Sequence, residues 1–228
     1  VFHNMGFNTI NLSIQIINNH LKKFSTLFVI LTFIWFLPDS IIAQKQKYFD
    51  EANIEISKKQ FNHKLDSRNY LEIPGDSIHC KKLITRAQSG QIENIGFLYH
   101  TLEVELKQKL DSTKPLIIIY YPGKDACNSD GSQNIDYFEQ WYNELESGVF
   151  QITQTKPIYI YKKADGIEKY GKYIVWHKDP LNIIEQTFFI YSYPCNSFVV
   201  IYQKGHYESY LGEFPKEYVW KACQFLKN

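Results

Sequence analysis

Four thiols, seven imidazoles and one loop crowded with side-chain oxygens are the groups with which this 228-residue chain could do chemistry. The thiols are Cys80, Cys127, Cys195 and Cys223, and no two stand at the Cys-x-x-Cys spacing that makes a local dithiol or half of a zinc site. Each could attack as a thiolate, and in an oxidising compartment they can pair in more than one connectivity. The histidines are scattered without a metal-ligand spacing, and His177 beside Asp179 reads as a surface imidazole next to a helix cap. Asp125, Asn128, Asp130, Gly131, Ser132, Asn134 and Asp136 invite a calcium reading. The spacing fails it: with Gly131 as the sharp-turn glycine of an EF-hand, Ala126 and Tyr137 fall where carboxylates are required. No cofactor or metal is expected. No nucleophile elbow, P-loop, dinucleotide fingerprint or H-E-x-x-H occurs, which disfavours the standard hydrolases and nucleotide enzymes.

The surrounding chain narrows the partners. A formal charge of +1, with both signs interspersed, gives no electrostatic footprint for nucleic acid. Aromatic side chains make up 16% of residues; without a basic groove beside them they are core and strand residues rather than a base-stacking platform. Lys22-Lys23, the apolar run Phe24 to Leu37, Pro38-Asp39-Ser40 and Ile41-Ile42-Ala43 match the charged, apolar and cleavage regions of a secretory signal. Residues 21–43 are therefore read as a signal peptide cleaved after Ala43, and residues 1–20 as a mis-called leader. The expected product is exported, periplasmic or secreted, and has no stable membrane span after cleavage, because the apolar run is too short.

Elements follow from periodicity. Residues 45–112 read as a small strand-bearing segment that packs on the core, with alternation at Ile54/Ile56 and Leu71/Ile73 and a turn at Pro74-Gly75-Asp76. Ile95, Leu98, Tyr99, Leu102, Leu106 and Leu110 mark a helix closed by Asp111-Ser112-Thr113. Leu116 to Tyr121 is continuously apolar, as in a strand buried on both faces. Ile135, Phe138, Trp141, Tyr142 and Leu145 predict an amphipathic helix capped by Ser132 or Asn134 and ended by Gly148. A strand Pro157 to Tyr161 comes next, then an irregular stretch to Trp176. Asp179-Pro180 caps a helix with Leu181, Ile184 and Phe188 on one face. Phe198–Tyr202 and Tyr207–Leu211 form a hairpin, and Pro215 opens a last helix with Tyr218, Val219, Ala222, Cys223 and Leu226 on its apolar face. Strands joined through a crossover helix must run parallel, so the sheet is mixed, with helices on both faces.

That order, with Tyr193-Pro194 before the third core strand and Gly212 before the last helix, resembles the thioredoxin-like fold family over roughly half of the chain. The resemblance implies an α/β, three-layer α/β/α sandwich over residues 113–228. In that family the proline is typically cis and faces a loop carrying Cys-x-x-Cys. Here Tyr120-Tyr121-Pro122-Gly123-Lys124-Asp125-Ala126-Cys127-Asn128 puts Asp125 and Asn128 where those cysteines would align, so the usual dithiol is missing. Cys195 follows Pro194, and the resemblance places it opposite Cys127. A Cys127–Cys195 disulfide is the implied pairing; a working redox pair and unconnected thiols stay open beside it. Tyr193, Pro194, Lys124, Asp125 and Asn128 are the implied binding residues of an open groove for an extended protein or peptide partner. The expected function is a non-catalytic binding or structural module of the cell envelope. The alternative is a thiol–disulfide oxidoreductase in which Cys127 attacks and Cys195 resolves.

Overall fold

The structure, a computed structural model, describes residues 45–129, 135–171, 173–191 and 193–224. The leader, the signal segment, Ser132, Asn134 and Leu226 lie outside these residues, and the expectations placed on them go with them. In chain order the elements are β1 (Lys47–Phe49), β2 (Glu55–Ile56), α1 (Lys58–Asp66), β3 (Tyr70–Pro74), β4 (Cys80–Thr85) and β5 (Ala87–Gln91). Then come α2 (Ile95–Leu106), β6 (Leu116–Tyr121), α3 (Ile135–Thr153), β7 (Ile158–Tyr161) and β8 (Trp176–Lys178). Last are α4 (Ile183–Phe188), β9 (Ser197–Ile201), β10 (His206–Tyr210) and α5 (Lys216–Gln224).

The continuously apolar run is the middle of the molecule because neither of its faces can be left wet. Leu116, Ile118 and Tyr120 of β6 join Leu98 and Leu102 of α2 and Ile184 and Phe188 of α4 in one core. On the opposite face Ile117, Ile119 and Tyr121 meet Tyr142, Leu145 and Val149 of α3 and Val219, Ala222 and Cys223 of α5. Period-two alternation of the strand sends successive side chains to opposite helix layers. Burying each isoleucine contributes about 1.5–3 kcal/mol. The mixed sheet has the order β5-β10-β9-β6-β7-β8. β6 and β7 run parallel, as their crossover helix requires, and β9 is antiparallel to both β6 and β10. A second mixed sheet, β2-β1-β4-β3, holds the first part of the described chain. Among the described residues no helix is long and apolar enough to cross a membrane.

Several local expectations are corrected. Gly148 does not end α3 but lies within it: a Cβ there would stand 2.3 Å from the Trp220 ring, so the glycine permits close approach of α5. The helix read through Leu110 stops at Leu106, where Lys107 takes a left-handed conformation (φ 54°) and breaks the ladder. Asp111 instead pins a turn, its carboxylate accepting from Thr113 N–H at 3.0 Å. Leu181 is 74% exposed rather than on the buried face, because it and Asn182 adopt positive φ between Pro180 and α4. Asp179 caps from beyond that turn, accepting the N–H groups of Ile184 (3.0 Å) and Glu185 (2.9 Å). At Trp176, where the irregular stretch ends, an unexpected strand, β8, begins and pairs in parallel with β7. Within 45–112, β1, α1, β4 and β5 escape the periodicity reading, and β5 extends the main sheet beside β10.

Candidate functional site

Antiparallel pairing of β9 with β6 and β10 brings three connections to one end of the sheet. The exit of β6, the entry of β9 and the exit of β10 lie side by side, as the registers Tyr120↔Ser197 and Tyr210↔Phe198 require. Polar contacts then lock these connections together. Asp125 accepts the N–H of Asn128 at 2.8 Å through one carboxylate oxygen and the N–H of Cys195 at 2.9 Å through the other. Asn128 returns a bond, accepting Asp125 N–H at 3.0 Å, and donates to the Gly123 carbonyl at 2.9 Å. Gly212 donates its N–H to Ser197 Oγ at 2.9 Å. Its own α-carbon faces the Pro194 carbonyl so closely that a Cβ would sit 3.1 Å from that oxygen, and its φ of +77° favours glycine. Across this junction Cys127 and Cys195 are joined by a disulfide with Cα atoms 5.3 Å apart. Cys127 is exposed and Cys195 half-buried. No cis peptide bond occurs among the described residues, so the cis proline that the resemblance implied is not found at Pro194.

Beside the disulfide opens a cavity of about 210 Å³, walled by Tyr137, Phe138, Trp141, Tyr142, Tyr170 and Phe214 and rimmed by Lys169, Asn196 and Glu213. Its floor is rigid, because Tyr142 and Tyr170 meet edge to face at 5.6 Å and Asn196 donates to the Tyr142 hydroxyl at 3.0 Å. Burial holds the Tyr142 hydroxyl well above its ordinary range and pushes Tyr170 up to about 12, so both stay protonated donors. Lys169 donates to the Asn128 carbonyl and stands over the rings of Phe138 (5.6 Å) and Tyr170 (5.0 Å). Desolvation pulls its pKa below the ordinary lysine value, while Asp125 and Glu168 push the other way. The site thus combines an accessible sulfur–sulfur bond, an aromatic recess and one partly dehydrated cation.

No protein-family model matches the chain, and no curated protein matches it. Among solved structures it is similar to a secreted Mycobacterium tuberculosis disulfide oxidoreductase homologous to E. coli DsbE, with 13% identity and a TM-score of 0.31, covering 49% of this chain and 81% of that one. At that level the likeness fixes neither fold nor activity.

The groove residues expected from the sequence divide between two surfaces. Asp125, Asn128, Pro194 and both cysteines converge, although Asn128 is only 9% exposed and its polar atoms are spent on the loop itself. Tyr193 is 6% exposed, its ring within the core shared by α2 and α4. Lys124 lines a second recess of about 130 Å³ with Asp125, Lys162, Lys163 and Glu185, so that Asp125 reaches both surfaces. Lys169, Asn196 and Glu213 were not singled out by sequence reasoning, because they come from three distant connections with no shared spacing. Phe138, Trp141 and Tyr142 were visible as a helical stripe, but periodicity does not distinguish a stripe that fills a core from one that walls a pocket.

Proposed function

We propose that this chain is an exported protein of the thioredoxin type whose Cys127–Cys195 disulfide exchanges with the thiols of a protein or peptide partner. The observation that carries the reading is the exposure of Cys127 at the mouth of an aromatic recess, where an incoming thiolate has access to the bond. Strand order and direction in β7-β6-β9-β10 agree with the resemblance, and the signal-like residues 21–43 together with a disulfide agree with export. In the exchange a partner thiolate attacks the Cys127 sulfur and forms a mixed disulfide, expelling Cys195 as a thiolate that takes up a proton. A second partner thiol, as its thiolate, attacks the partner sulfur of that mixed bond. The partner leaves as a disulfide, and Cys127 takes up a proton. Two electrons pass from the partner to the Cys127–Cys195 pair, and the reverse sequence oxidises a partner. Asp125 serves as a positioning residue, keeping the Cys195 backbone beside the Cys127 loop.

A second reading, a stapled and non-catalytic binding module, is favoured by the Asp125 and Gly212 contacts, which hold the loops together without the sulfurs. One titration separates the two. The protein is equilibrated in thiol–disulfide buffers of graded potential, quenched by thiol blocking and mapped by mass spectrometry. Exchange predicts a midpoint among the oxidoreductases, between about −120 and −270 mV, and a staple predicts one below about −300 mV. A midpoint below that limit, or no thiol exchange with a dithiol peptide, overturns the first reading in favour of the second.

A further inference from the structure

Three potential ligand atoms meet at the mouth of the aromatic recess. The sulfurs of Cys127 and Cys195 and a carboxylate oxygen of Glu213 all lie within 4.8 Å of one another. They come from three different connections that the fold has already fixed. Asp125 holds the Cys195 backbone, Gly212 sits against Pro194, and the Glu213 carbonyl accepts from the Arg86 guanidinium at 3.0 Å.

We propose that reduction of the Cys127–Cys195 disulfide converts this junction into a thiolate–thiolate–carboxylate site for a divalent cation that accepts sulfur and oxygen ligands, zinc foremost. The proposal needs the pair to be reducible and does not need a protein partner to be the reductant. A dithiol or a phosphine supplies two electrons and is itself oxidised; the S–S bond breaks and each sulfur takes a proton. Zinc then displaces both protons to solvent as two Zn–S bonds form. Tetrahedral zinc with Zn–S distances of about 2.3 Å separates its two sulfurs by about 3.8 Å, a spacing compatible with Cα atoms 5.3 Å apart. Glu213 is exposed, so its carboxylate is free to swing onto the metal at about 2.0–2.2 Å. Three protein ligands leave a fourth position open to water or to an incoming thiolate. Charge favours the arrangement, since two thiolates and one carboxylate are balanced by the cation and by Lys169 on the same rim. Metal occupancy and the disulfide exclude each other, so bound zinc would hold the pair reduced and block its reoxidation.

The test uses the full chain, reduced with a phosphine under anaerobic conditions and titrated with zinc against a chromophoric chelator. Cobalt(II) provides a parallel readout through its thiolate charge-transfer absorption. Reduced protein is expected to bind one equivalent and oxidised protein none. Cys127→Ser and Cys195→Ser should each abolish the signal, while a Cys80→Ser/Cys223→Ser variant keeps it. Glu213→Gln should weaken affinity by at least the roughly 10- to 100-fold typical of losing a supporting group around a metal. Circular dichroism of the reduced Glu213→Gln chain checks that it remains folded, and Glu213→Asp should recover part of the affinity. No binding by reduced protein, equal binding by Glu213→Gln, or a bond the phosphine cannot open overturns the proposal. The graded-potential titration reports exchange without metal present, so failure of the zinc site and failure of the exchange reading remain distinguishable.

Discussion

Replacing both Cys127 and Cys195 by alanine removes a cross-link between positions 68 residues apart. In the chain-entropy model a loop of that length restricts the unfolded ensemble by about 4 kcal/mol. With a urea dependence of about 2 kcal/mol per molar, typical of small proteins, the midpoint of the double variant should fall by about 2 M relative to the oxidised wild type. A thermodynamic cycle gives the same quantity by a second route. Whatever free energy the bond adds to folding, folding adds to the bond, so the disulfide should be about 90 mV harder to reduce in the folded chain than in the denatured one, at about 30 mV per 1.4 kcal/mol. Urea denaturation followed by fluorescence measures the first leg, and potential titrations with and without denaturant measure the second. The alanine chain retains the Gly212–Ser197 bond and the Asp125 bonds to the backbone, so the native loops should persist and the loss should fall on the unfolded state. A midpoint shift under about 0.5 M, or two legs that disagree by more than about 2 kcal/mol, would refute the cross-link reasoning.

Two further outcomes follow from packing and burial. Gly148→Ala is expected to destabilise the protein even though alanine is the better helix former by about 1 kcal/mol. The new methyl would lie 2.3 Å from the Trp220 ring, which is held by its bond to the Leu145 carbonyl, and such overpacking costs roughly 1–3 kcal/mol. Trp220→Leu should relieve the clash, and a Gly148→Ala protein more stable than wild type in chemical denaturation would show that the helices separate freely. At alkaline pH, Cys223 should make the fold weaker. Burial pushes its thiol from 9.0 up to about 12, so the native state keeps a proton that the unfolded chain releases. This contribution is complete below pH 9 and declines as pH rises from 9 toward 12, by up to about 1.4 kcal/mol per pH unit. Comparing unfolding free energies at pH 8.5 and 10 for wild type and Cys223→Ala isolates it; an identical alkaline loss in the two proteins would sink the assignment.

Element types were legible wherever one physical requirement acted alone. Leu116–Tyr121 had to be a doubly buried strand because its apolar side chains point both ways, and the run from Phe198 through the Gln203–His206 turn had to reverse. Local reading failed where a distant partner changed the meaning of a residue. Gly148 looked like a helix terminus, but Trp220 makes it an interhelical contact. Leu181 looked like a core residue, but the positive φ of the turn before α4 turns it to solvent.

The site divides along the same line. Its chemistry, cysteines without a local dithiol and a loop of Asp125 and Asn128 beside Cys127, is written in short stretches of sequence because each needs only its neighbours to be recognised. Its composition needed the sheet. Glu213, Lys169 and Asn196 share no spacing with Cys127 or with one another, and they meet because antiparallel pairing of β9 with β6 and β10, and parallel pairing of β7 with β6, bring the connections that carry them to one end of the sheet. Sequence determined which residues can form a bond, a helix face or a buried strand. Tertiary structure decided which of them share a site, since proximity between residues far apart in the chain, such as Cys127 and Cys195 at a separation of 68 positions, is set by strand order and not by anything those residues carry locally.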